Sequence, residues 1–60
     1  MIIAFLPAFN EELRISSTIA SLQAIQLIDK IVVINDASTD STAAIVRELA
    51  VDLIDLQKML

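Results

Sequence analysis

The stretch Ile31 to Asp40, IVVINDASTD, decides the fold. Four β-branched residues, Ile31 to Ile34, predict a buried strand, and Asn35 to Asp40 hold nothing apolar except Ala37. In open α/β sheets ligands lie outside the carboxyl ends of the strands, so a strand that stops at an acidic, hydroxyl-rich turn feeds a site. Asn35, Asp36, Ala37 and Ser38 occupy that edge.

Upstream, Met1 to Leu6 is an apolar run that predicts a first strand, ended by Pro7, which cannot donate in a ladder. Ala8, Phe9 and Asn10 read as a short connection. Asn10 is a good N-cap, with Glu11 and Glu12 in the first turn, where negative charge meets the positive end of the helix dipole. Ile15, Ile19 and Leu22 then repeat at i, i+4 and i+7, the stripe of a helix facing a sheet, which fades near Gln26.

Downstream of the turn, Thr42, Ile45, Val46 and Leu49 form a second such stripe, with Arg47 and Glu48 on the outer side. Ser38 or Thr39 is the expected cap, and Asp40 sits near the positive end of that helix. Val51 to Leu56 predicts a third strand whose Asp52 and Asp55 suit a sheet edge. Residues 57–60 carry no signal.

The order β-α-β-α-β with right-handed crossovers predicts a three-stranded parallel sheet of order 3-2-1, with both helices on one face. Yet Ile2, Ala4 and Leu6 alternate with Ile3 and Phe5, and Ile31 and Val33 with Val32 and Ile34. Both faces of the inner strands are therefore apolar, as in parallel sheets covered on both sides. Sixty residues cannot supply that second cover. A chain of this size buries only about 60 % of its unfolded surface, so an incomplete or dimeric domain is expected.

Composition narrows the function classes. Eight acidic against four basic residues leave a net charge of −4 and no Lys/Arg cluster, which argues against a nucleic-acid surface. There is no cysteine and no histidine, which removes disulfides, thiolate or imidazole metal sites, and Ser-His or Cys-His nucleophiles. Glycine is absent too, so neither the dinucleotide fingerprint nor the P-loop exists here. Asp36, Ser38 and Asp40 imitate the start of a calcium loop, but Ser41 and Arg47 stand where that loop needs Gly and Glu. The longest apolar run, Met1 to Phe9, falls short of the roughly 18 to 20 residues of a membrane span, and no basic residue precedes it as in a signal peptide. The expected location is cytoplasmic, including the cytoplasmic face of a membrane for a full-length protein.

Two loops remain at one sheet edge, Pro7 to Glu11 and Asn35 to Ser38. Adjacent parallel strands lie about 4.8 Å apart, so the loops form one surface. On it the Phe9 ring and the Asp36 carboxylate suit a planar heterocycle with an N–H donor, such as uracil or guanine.

Those residues carry a family likeness. Pro7-Ala8-Phe9-Asn10-Glu11-Glu12, followed after one helix by Ile31-Val32-Val33-Ile34-Asn35-Asp36-Ala37-Ser38-Thr39-Asp40, resembles the N-terminal signature of family two glycosyltransferases of the GT-A fold. Its pattern is Pro-Ala-Tyr/Phe-Asn-Glu, then an apolar strand and Asp-Asp-Gly/Ala-Ser-Thr-Asp. The resemblance spans essentially the whole chain and implies a partial GT-A, Rossmann-like domain over residues 1–60.

It further implies a nucleotide-sugar donor, a UDP- or GDP-sugar, with Pro7, Ala8 and Phe9 lining the base, Glu11 near the ribose and Asp36 accepting from the base N–H. A divalent metal, magnesium or manganese, is implied as cofactor, but the family's Asp-x-Asp motif and catalytic base lie beyond the third strand. Asp52-Leu53-Ile54-Asp55 has the wrong spacing for that motif. Asn35 departs from the first aspartate of the pair, and Ala37 from the common glycine. The expected function is nucleotide binding for transfer to a lipid or saccharide acceptor, with no catalytic residue here, no activity alone, and a C-terminal remainder or dimer mate over the second face. The alternatives are a truncated, non-catalytic βαβαβ interaction module and a nucleotidyltransferase-like relative, the latter needing a glycine-rich loop that is absent.

Overall fold

The structure is a computed structural model and describes residues 1–56. Five elements follow in order: β1 (Ile3–Ala8), α1 (Ile15–Gln23), β2 (Lys30–Asp36), α2 (Thr42–Glu48) and β3 (Asp52–Leu56). The strands form one parallel sheet with β2 central, the expected order. Register pairs Ala4 with Ile31, Leu6 with Val33 and Ala8 with Asn35, and on the other side Val33 with Leu53 and Asn35 with Asp55.

Alternation along these strands separates the two faces. Ala8, Ile31 and Val33 form the core with Ile15 and Ile19 of α1 and Val46 of α2, so both helices cover the same face. Burying an Ile or Val side chain of this kind contributes about 1.5–3 kcal/mol. The other phase, Ile3, Phe5, Val32, Ile34 and Ile54, faces away from the helices; Phe5 stays 62 % exposed and Ile54 46 %. The apolar second face that the sequence predicts is present and uncovered among the described residues.

Three local expectations are corrected. β1 does not end before Pro7 but runs through it to Ala8, with Pro7 opposite Ile34. As an edge strand β1 tolerates a residue without an N–H, which a central strand would not. Helix α1 does not start at Asn10: residues 12–14 make a turn first, and Arg14 holds the N-cap position without a side-chain cap. Asn10 instead has φ 51°, a left-handed conformation that asparagine adopts at lower cost than most residues. Finally, Ser38 and Thr39 do not cap α2. The carboxylate of Asp40 takes the Thr42 N–H at 2.9 Å, while Ser38 and Thr39 turn to the neighbouring loop.

Candidate functional site

Two connections meet at the carboxyl ends of β1 and β2, residues 9–14 and 37–41. Each opens on a left-handed residue close to its strand end, Asn10 in the first and Ala37, at φ 58°, in the second. An alanine there costs roughly 1–2 kcal/mol relative to an ordinary backbone conformation, which gives a physical reason for glycine at this position of the family pattern.

Six hydrogen bonds cross between the connections and their helix starts. The Asn10 N–H donates to Ser38 Oγ at 2.9 Å, and Asn10 Oδ1 accepts from Thr39 N–H at 2.8 Å and Thr39 Oγ1 at 3.3 Å. The Glu11 N–H donates to Thr42 Oγ1 at 2.9 Å, the Glu12 N–H to Asp40 Oδ2 at 3.2 Å, and the Ser41 N–H to Glu12 Oε2 at 3.2 Å. The loops therefore behave as one body, and backbone donors that would otherwise need water are satisfied across the gap. Thr42 is fully buried at the centre of this set, its hydroxyl bonded also to Asp40. For Asp40, desolvation pushes the pKa up, but the hydrogen bonds from the Thr42 hydroxyl and backbone and from the Glu12 backbone outweigh it. Its carboxyl is held below the usual carboxylate range.

The last residues of β2 differ sharply. Asn35 lies on the helix face, 2 % exposed, and its Nδ2 donates to Asp55 Oδ1 at 2.8 Å; Asp55 is in turn paired with Arg47 of α2. Asp36 lies on the opposite phase of the strand. One carboxylate oxygen of Asp36, Oδ1, is buried with no hydrogen-bond partner, and so is Asn35 Oδ1. Orphaned buried acceptors are rare and expensive.

The five residues singled out from the sequence are distributed as follows. Pro7 is exposed on the open face, opposite Ile34, in the same phase as Asp36. Phe9 is the residue directly after the Ala8–Asn35 pair, as Asp36 is on β2, and it is 44 % exposed. Ala8 is 3 % exposed and its methyl belongs to the core, so what it presents at the edge is main chain. The Glu11 carboxylate is engaged by Arg14 at 3.2 Å while its N–H is held by Thr42. Register thus brings Pro7 and Asp36 to one edge and one phase, with Phe9 adjoining. The cross-loop roles of Asn10, Ser38, Thr39, Asp40 and Thr42 were not legible, because each loop read alone looks like helix capping.

The opposite end of the sheet has a cavity of about 250 Å³ lined by residues including Gln23, Ile28, Lys30, Val51 and Asp52. Within it Lys30 pairs with Asp52 at 2.9 Å, and Asp29 Oδ2 accepts the Ile2 N–H at 2.7 Å. No buried, unpartnered polar side-chain atom lies among its lining residues. No group of three or more acidic, His or Cys side chains among the described residues could hold a metal. Asp52 and Asp55 do not fit one either, since the first is paired with Lys30 beside Val32 and the second with Arg47 beside Asn35. No described helix is long and apolar enough to cross a membrane.

An open parallel α/β sheet with its polar loops joined over the carboxyl ends of the strands is the architecture in which small polar ligands are held at that edge. The chain belongs to glycosyl transferase family 2, whose sequence profile matches residues 3–58. No curated protein matches the chain, and no solved structure does. Membership carries a glycosyltransferase-like function and agrees with the parallel α/β fold.

Proposed function

We propose that this chain is the nucleotide-binding front of a glycosyltransferase, holding the nucleoside diphosphate of a UDP- or GDP-sugar for transfer to a lipid or saccharide acceptor. The observation that carries this reading is the register that brings Pro7 and Asp36 to one edge and one phase with Phe9 adjoining, in a chain matched by the family profile over residues 3–58. A carboxylate accepts hydrogen bonds, and the ring N–H of uracil or guanine is a donor of the right kind for Asp36. The neighbouring Phe9 supplies a ring face for stacking, Pro7 and the main chain of Ala8 the wall beside it, and Glu11 the ribose side.

Sugar transfer by displacement at the anomeric carbon also needs the diphosphate charge neutralised and the acceptor proton removed. Arg14 and Arg47, the cations of this edge among the described residues, are paired with Glu11 and Asp55. In this reading the divalent metal and the base belong to a C-terminal remainder, and residues 1–60 are a partial domain that binds without catalysing. The remainder, or a dimer mate, covers the open face, and the whole works in the cytoplasm or at its membrane face. Calorimetric titration with UDP and GDP tests the reading: one of the two binds. Asp36→Ala weakens it about 10- to 100-fold, the range of a hydrogen bond to a charged group, and unchanged affinity removes Asp36 from the site.

A second reading, a non-catalytic βαβαβ interaction module, is favoured by the exposure of Phe5 and Ile54 on an apolar sheet face. It predicts no nucleotide binding and self-association in sedimentation.

A further inference from the structure

We infer that Asn10 is a positioning residue for nucleoside binding: its amide latches the loop bearing Phe9 and Glu11 to the loop that follows Asp36. The inference rests on the nucleotide-binding reading above and adds a residue to which that reading gives no part.

Asn10 stands between Phe9 and Glu11 in the chain and makes three of the six cross-loop bonds, more than any other residue of its loop. Its Oδ1 accepts twice from Thr39, and its N–H donates to Ser38, two residues beyond Asp36. Both its side chain and its backbone are thus spent on the neighbouring loop, and none of its hydrogen bonds goes to α1, which begins five residues later. The left-handed φ of 51° is what turns the amide across the gap, and asparagine is one of the few residues that combines that conformation with a side-chain acceptor. A ligand gripped between a ring on one loop and a carboxylate at the root of the other is bound tightly only if the loops are already in place. The ordering cost is otherwise charged to affinity.

Three variants separate the latch from the backbone conformation. Asn10→Gly keeps the left-handed backbone and removes only the acceptor; Asn10→Asp keeps an acceptor at Oδ1; Asn10→Ala loses both the acceptor and the ease of the conformation. In amide hydrogen exchange of the 60-residue chain without ligand, Asn10→Gly is expected to lose protection at Thr39 while the core amides of β2 keep theirs, and Asn10→Asp to restore it. In titrations with UDP and GDP, Asn10→Gly is expected to bind about three- to tenfold more weakly than the native chain, the range of one neutral hydrogen bond, and Asn10→Asp more tightly than Asn10→Gly. Undiminished protection of Thr39 in Asn10→Gly overturns the latch. Lost protection with unchanged affinity overturns the positioning role while leaving the nucleotide site standing. No binding of either nucleotide by the native chain overturns the proposed function, and this inference with it.

Discussion

Asn35 and Asp36 are consecutive residues of one strand on opposite faces of the sheet. Asn35 points into the helix-covered side, almost fully buried, and its amide joins β2 to Asp55 of β3, which holds Arg47 of α2. Asp36 belongs to the open phase and is only half-buried; each of the two keeps one buried oxygen without a partner. Strand alternation alone makes the division: neighbours on a strand cannot share a face, so a polar pair at a strand end supplies one residue to the helix-covered face and one to the open face. An asparagine in the scaffold position also becomes intelligible, because a carboxylate there would meet the carboxylate of Asp55.

The comparison is sharpened first on the covered face. Ile19 is fully buried between α1 and the sheet, and Ile19→Ala is expected to cost about 2–5 kcal/mol in chemical denaturation. A loss below about 1 kcal/mol would mean that the helices do not pack on this face as described. Next is Asn35→Asp, expected to cost about 2–3 kcal/mol near neutral pH, because a buried carboxylate loses its donor role and faces a second carboxylate. The loss is expected to shrink on acidification, as protonation restores a donor, and to be largely recovered in the double variant with Asp55→Asn. An equal loss at all pH values would break the assignment of Asn35 to the scaffold.

A smaller change of opposite sign is expected at Ala37→Gly. Relief of a left-handed alanine, roughly 1–2 kcal/mol, exceeds the added entropy of the unfolded chain, roughly 0.4–1 kcal/mol. A net stabilisation of about 0.5–1 kcal/mol should raise the denaturation midpoint without changing its slope.

The sheet itself was legible because its signals are periodic. The β-branched run Ile31 to Ile34, the two helical stripes and the alternation of Ile3 and Phe5 with Ala4 and Leu6 all report burial, and burial determines strand order and helix side here. Boundaries were less legible where one residue type serves two local ends. Asn10 suits a helix cap and a left-handed bend equally, and only the position of Thr39, 29 residues away, decides between them. Pro7 ends a central strand but not an edge strand, and the edge is a property of the whole sheet. Thr42 fell correctly on the buried stripe of α2, yet its hydroxyl contacts with Glu11 and Asp40 depend on how two loops stack. The placement of Phe9 and Asp36 at one sheet edge was legible because they lie at the ends of strands already placed. The bonds that hold their loops together were not, since no pattern in one loop reports the other.

The central claim is that the Asp36 carboxylate accepts the ring N–H of a nucleobase, and a thermodynamic cycle tests it most directly. Calorimetry would compare the nucleoside diphosphate that binds with its counterpart methylated on the ring nitrogen, against the native chain and Asp36→Ala. The account predicts that methylation and substitution each weaken binding about 10- to 100-fold and that together they cost little more than either alone. Full additivity of the two losses, or indifference of the native chain to methylation, would contradict it.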